Sequence, residues 1–93
     1  MARFLIEAPH EAERAGCARA VEIFHKTGSH FLTHADWGCK DGVHSAWFIA
    51  EADRKDEARL ILPPAYRAQA RITELIQYNS EQVDELLAHH QQR

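Results

Sequence analysis

The chain has 93 residues, of which 45% are hydrophobic and 27% charged, and its net charge is −3 at pH 7. These totals suit one soluble globular domain over residues 1–93, and without a basic cluster they argue against nucleic acid as a partner. No stretch approaches the roughly 18 consecutive apolar residues of a membrane span, so no membrane partner is expected.

The opening run MARFLIEAPHEAE is too short in apolar residues for a signal peptide. Cys17 and Cys39 are too few for a secreted disulfide framework, so a reduced, cytoplasmic setting is expected. A domain this small buries only about 60% of its unfolded surface, and a second copy of the chain would help it.

Alternation in ARFLIEA puts Phe4, Ile6 and Ala8 on one face of a strand ended by Pro9, with His10 just beyond. EAERAGCARAVEIFHKTG reads as a helix. Its apolar positions Ala12, Gly16, Cys17, Ala20, Val21 and Phe24 recur at steps of three and four. Glu11 and Glu13 fall in its first turn, His25 and Lys26 in its last, and Gly28 is a terminator.

HFLTHADW is the second strand and HSAWFIAEA the third. GCKDG forms the hairpin between them, with Asp41-Gly42 as its strongest turn signal. DRKDEARLIL is the second helix, capped by Asp53, acidic in its first turn at Asp56 and Glu57, and ended by Pro63-Pro64. AYRAQA connects, RITELIQY is the fourth strand, and NSEQVDELLAHHQQR is a terminal helix capped by Ser80, with Val83, Leu86 and Leu87 on its apolar side.

The order β-α-β-β-α-β plus a C-terminal helix predicts an α+β fold of ferredoxin-like type. Its four-stranded antiparallel sheet is ordered 4-1-3-2, with two helices on one face. That topology brings the end of strand 1, the end of strand 2, the start of strand 3 and the start of strand 4 to one rim. His10, His34, Asp36, Trp37, Cys39, His44 and Arg71 are all expected there. His30 is excluded on the strand assignment, because four residues in a strand separate backbones by about 13 Å. On a helix the same spacing would suit a shared ion. His34 and Asp36, two apart, share a face.

Imidazole, thiolate and carboxylate are the ligands of zinc, copper and nickel. The leading reading is therefore a transition-metal site of His10, His34 and His44, with Asp36 and Cys39 as further candidates. A second reading is a metal-free isomerase or cofactor-independent monooxygenase acting on an apolar or aromatic small molecule. There His34 or His44 would move a proton and Asp36 would orient the imidazole. A third is a non-catalytic structural or interaction module whose histidines only bond locally. The sequence has no C-x-x-C, H-E-x-x-H or glycine-rich phosphate loop. Cys17, on the apolar helix face, reads as a small core residue. Trp37 and Trp47 read as hydrophobic bulk, and His89-His90 as a solvated tail. Tyr66 and Arg67 would line a pocket opening or cover the sheet edge.

The layout RFLIEA … SHFLTHADW … HSAWFIAEADRKDEARLILPP … RITELIQY resembles the dimeric α/β-barrel superfamily of ferredoxin-like proteins. The phrase AWFIAEADRKDEARLIL looks most like muconolactone isomerase relatives. The superfamily also includes small monooxygenases and small metal-binding proteins. The resemblance implies a homodimer in which two four-stranded sheets face each other and close a barrel. It carries no individual site residue across.

Overall fold

The alternation in ARFLIEAP does make a strand, β1 (Ala2–Pro9), with Phe4, Ile6 and Ala8 buried on one face. Around it, the computed structural model describes residues 1–27 and 29–91, and side chains as far as residue 89. The further elements are α1 (Arg14–Thr27), α2 (His30–Thr33), β2 (Asp36–Trp37), β3 (Ser45–Ala52), α3 (Lys55–Leu60), β4 (Arg71–Leu75) and α4 (Ser80–Gln91). Gly28, read above as a helix terminator, lies outside the described residues.

The strands form one antiparallel sheet in the order β2-β3-β1-β4. This is the expected 4-1-3-2 order seen from the other edge, and it is compatible with a ferredoxin-like fold. The sheet is open and does not close into a barrel. Strand β1 is central, pairing Ile6 with Phe48 on one side and Ile72 on the other. One face carries Phe4, Ile6, Ala46, Phe48, Ala50 and Ile72, and the helices cover it with Phe24, Leu32 and Ala58, joined by Leu62 from the bend after α3. Each of these is 7% exposed or less, so the core is continuous. The small residues of β3 leave room for the rings of Phe4, Phe24 and Phe48.

The second strand differs most from expectation. HFLT forms a helical turn, and only Asp36 and Trp37 pair with β3, opposite Trp47 and Ala46. The reason is the spacing of the apolar residues. Phe31, Leu32 and Ala35 are neighbours on one side of a helix, whereas a strand would turn Leu32 away from the other two. Leu32 is fully buried and Phe31 and Ala35 pack against the core.

Helix ends also shift. Helix α1 starts at Arg14, so Glu11 and Glu13 precede it rather than filling its first turn. Arg54, not Asp53, occupies the cap position of α3, and no side chain caps it; the Asp53 N–H instead donates to Glu57 Oε2 at 3.3 Å. Asn79, not Ser80, caps α4. Its Oδ1 accepts from the Gln82 N–H at 2.8 Å, and its own N–H donates to Gln82 Oε1 at 2.9 Å, a reciprocal capping box. Strand β4 stops at Leu75, short of Tyr78.

Helix α4 stands apart. Residues 80–89 are all exposed, including Val83, Leu86 and Leu87. The radius of gyration is 16.7 Å, against about 12 Å for a compact chain of this length. The projecting helix accounts for the excess.

Candidate metal centre

Four side chains meet at the rim. His10 follows β1, Cys17 sits in the first turn of α1, Cys39 opens a 3₁₀ turn (Cys39–Asp41), and His44 leads into β3. The backbone pins them. The His10 N–H donates to the His44 carbonyl at 3.1 Å, which holds the two histidines side by side beyond the last sheet pair. The Gly38 N–H donates to the Ser45 carbonyl at 3.1 Å, and the Gly38 carbonyl accepts from Asp41 and Val43. Asp41-Gly42 does turn the chain, with Gly42 at φ 79°.

Each cysteine follows a glycine that must be a glycine. A Cβ on Gly16 would lie 2.8 Å from Glu11 Cβ, and one on Gly38 would lie 2.7 Å from both the Trp47 ring and the Val43 carbonyl. Close backbone approach at those two points brings Cys17 and Cys39 to the same place.

The ligand atoms already form a knot. His10 Nε2 is 3.1 Å from Cys17 Sγ and 3.0 Å from Cys39 Sγ, and Cys17 Sγ is 3.1 Å from His44 Nδ1. All four candidate ligand atoms lie within 4.8 Å of one another. Around a tetrahedral zinc ion, Zn–N and Zn–S lengths imply edges of about 3.4–3.8 Å. The three short contacts fall a few tenths of an ångström inside that range and the widest separation, up to 4.8 Å, lies outside it, so a metal would push the closest atoms apart and draw the most distant together by about 1 Å. The two imidazole rings meet edge to face, with centroids 5.8 Å apart. Trp37 flanks His10 at 5.7 Å and packs on Phe24 at 4.9 Å, so the site is wired directly to the core.

Electrostatics favours a neutral His10. Burial, then the neighbouring His44, hold its imidazole below the usual histidine range. A neutral imidazole keeps a lone pair on one ring nitrogen available as a ligand. His10 Nδ1 has no hydrogen-bond partner among the described residues. Cys39 is pushed the other way. Burial, then its hydrogen bond and charge interaction with Cys17, raise its thiol above the ordinary range.

A metal must therefore displace the Cys39 proton at neutral pH, and binding tightens as pH rises. We expect competition with a chromophoric chelator to show affinity rising by about tenfold per pH unit for each proton displaced. A pH-independent affinity between pH 6 and 8 would mean that the thiol is not a ligand.

The residues expected at this site divide. His10, Cys39 and His44 come together, and Cys17, read as a core residue, joins them. Its Sγ points from the edge of the apolar stripe of α1 toward the rim, and Cys17 is only partly buried. The signal for it was its place one residue after Gly16, at the margin of the stripe. His34 and Asp36 are exposed and outside the group of four. The helical turn at α2 moves His34 away from the rim, onto the same exposed surface as His30. Arg71 pairs with Glu7 in the sheet ladder and is exposed. Arg67 is structural. Its guanidinium donates to the Leu62 carbonyl at 2.7 Å and the Leu60 carbonyl at 3.1 Å, tying down the end of α3. The side chain of His90 lies outside the described residues.

Beside the centre is an open cavity of about 430 Å³, lined by His10, Gly16, Arg19, Ile23, Tyr66 and Gln69 among others. Tyr66 leans on Phe24 at 5.6 Å, and burial is the main cause raising its phenol above the usual range. Arg19 and Glu11 form an exposed ion pair of 3.6 Å.

Fold and site together define an α+β protein with an open four-stranded antiparallel sheet and a two-histidine, two-cysteine cluster that can hold a metal ion. No protein-family model, curated protein or solved structure matches the chain significantly, so the superfamily resemblance stands on layout alone. No helix among the described residues is long and apolar enough to cross a membrane.

Proposed function

We propose that this is a metal-binding protein whose centre holds zinc through His10, Cys17, Cys39 and His44. The observation that supports it is the convergence of four ligand atoms, from four separate places in the chain, within 4.8 Å. Two thiolates and two imidazoles are a donor set that suits zinc, which takes N and S ligands tetrahedrally, above octahedral nickel or square-planar copper(II). Four protein ligands fill a tetrahedron and leave no open position, so the metal's role is to bind and brace rather than to activate water.

The centre ties the end of β1, the start of α1 and the β2–β3 turn together. Elemental analysis of untagged protein, purified without chelator, should find about one zinc per chain. Cys17→Ser should lose it, whereas His34→Ala should retain it. Zinc lost in His34→Ala and kept in Cys17→Ser would place the metal elsewhere.

The cavity supports a second reading, in which a small organic molecule binds beside the centre. Its size is within the usual range for ligand pockets, and His10 belongs to both.

We further propose a homodimer. Leu5 and Ile49 lie opposite each other on the sheet face away from the helices, and Ile49 is 49% exposed. Ile76 and Tyr78, on the connection to α4, and Val83, Leu86 and Leu87, on α4 itself, are further exposed apolar residues. A second copy facing the first would cover both and close the two sheets into a barrel. Light scattering at micromolar concentration should give twice the chain mass; a monomer there rules this assembly out.

A further inference from the structure

A second group of imidazoles lies outside the four-residue centre. His30 and His34 are both exposed on α2 and its C-terminal edge, and their ring centroids are 4.5 Å apart. The i, i+4 spacing of one helical turn stacks them on the same side. A strand would have separated them.

The hydrogen bonds fix how one ring is presented. His34 Nδ1 lies 2.9 Å from the His30 carbonyl oxygen. A carbonyl oxygen only accepts, so Nδ1 must carry the hydrogen and donate it. The Thr33 hydroxyl donates to the same carbonyl at 3.1 Å, and its oxygen, 3.2 Å from Nδ1, shares that N–H. In the neutral ring the free lone pair is then on Nε2. A histidine that donates Nδ1–H to a carbonyl and offers Nε2 is oriented as metal-binding histidines are.

We propose that His30 and His34 form a second, solvent-exposed site for a divalent late first-row cation. His34 Nε2 and one nitrogen of His30 are its protein ligands, and water fills the remaining positions. Its chemistry differs from that of the first centre. It has two imidazoles and no thiolate, is open to solvent, and suits a cation that keeps part of its hydration. The occupant would exchange with solution, whereas a four-ligand centre retains its metal. The site rests on α2 alone and does not depend on the reading of the first centre.

The test is calorimetric titration of untagged protein with Ni²⁺, chosen because Cu²⁺ would oxidise the thiols. Wild type should bind about one Ni²⁺ without thiolate-to-nickel charge-transfer absorption, since no sulfur is a ligand there. His30→Ala and His34→Ala should each weaken that binding by at least about tenfold. A variant with both His89→Ala and His90→Ala should keep it, and zinc content should be the same in all three. Affinities for His30→Ala and His34→Ala within twofold of wild type would overturn the proposal. So would loss of Ni²⁺ binding only in the His89/His90 variant, or Ni²⁺ seen solely through thiolate absorption.

Discussion

Removing the proposed zinc, by a strong chelator or by Cys39→Ser, is expected to lower the thermal midpoint by about 15–30 °C. The figure follows from linkage. A ligand present at a thousand times its dissociation constant adds about 4 kcal/mol to the folded state. In a domain of this size each kcal/mol is worth about 4–8 °C. The effect falls on a region with little else to hold it. Strand β2 has two residues, the turn after it three, and neither contributes a fully buried large side chain.

The metal-free protein should nevertheless keep its sheet, because Phe4, Ile6, Leu32 and Leu62 are buried independently of the centre. Circular dichroism melts with and without chelator would check both halves of this expectation. A shift under about 3 °C would show that the centre does not brace the fold.

Phe24→Ala should have an effect of similar size for a different reason. Phe24 is 1% exposed and its ring meets Trp37, Phe48 and Tyr66 at 4.9, 6.4 and 5.6 Å. Truncating a buried phenylalanine costs about 3–5 kcal/mol in lost transfer energy and residual cavity. A small domain commands about 5–15 kcal/mol in total, so the variant will be close to unfolding.

Phe24 also supports the rim, since Trp37 bridges it to His10. Zinc should therefore rescue Phe24→Ala only in part, and its metal affinity should fall as well. Urea titrations in zinc and in chelator would separate the two contributions. A loss under about 1 kcal/mol would show that the surrounding rings refill the space.

Much of the architecture was legible from local pattern. Strands β1 and β3, helices α1 and α3 and the turn at Asp41-Gly42 each follow from periodicity or turn chemistry that acts over a few residues. The segment 30–35 turns as a helix where a strand is expected, because one histidine-rich run suits two periods. Its apolar residues 31, 32 and 35 obey the helical one, and burial of Leu32 decides in its favour. The caps at Arg54 and Asn79 lie one residue from the expected positions, since the first helical hydrogen bond depends on how each chain segment approaches the core.

The site divides on the same line. The residues alone determined that His10, Cys39 and His44 would share a rim, because strand order and direction are enough to place strand ends. Only the tertiary structure decided that Cys17 completes the group and that His34 and Asp36 do not belong to it. Cys17 reaches the rim because α1 crosses the sheet with Gly16 pressed against Glu11, a contact no periodicity encodes. His34 leaves because one helical turn rotates it onto the exposed surface beside His30. Strand geometry places backbones, but the direction of a side chain at the edge of an element is set by what packs beneath it.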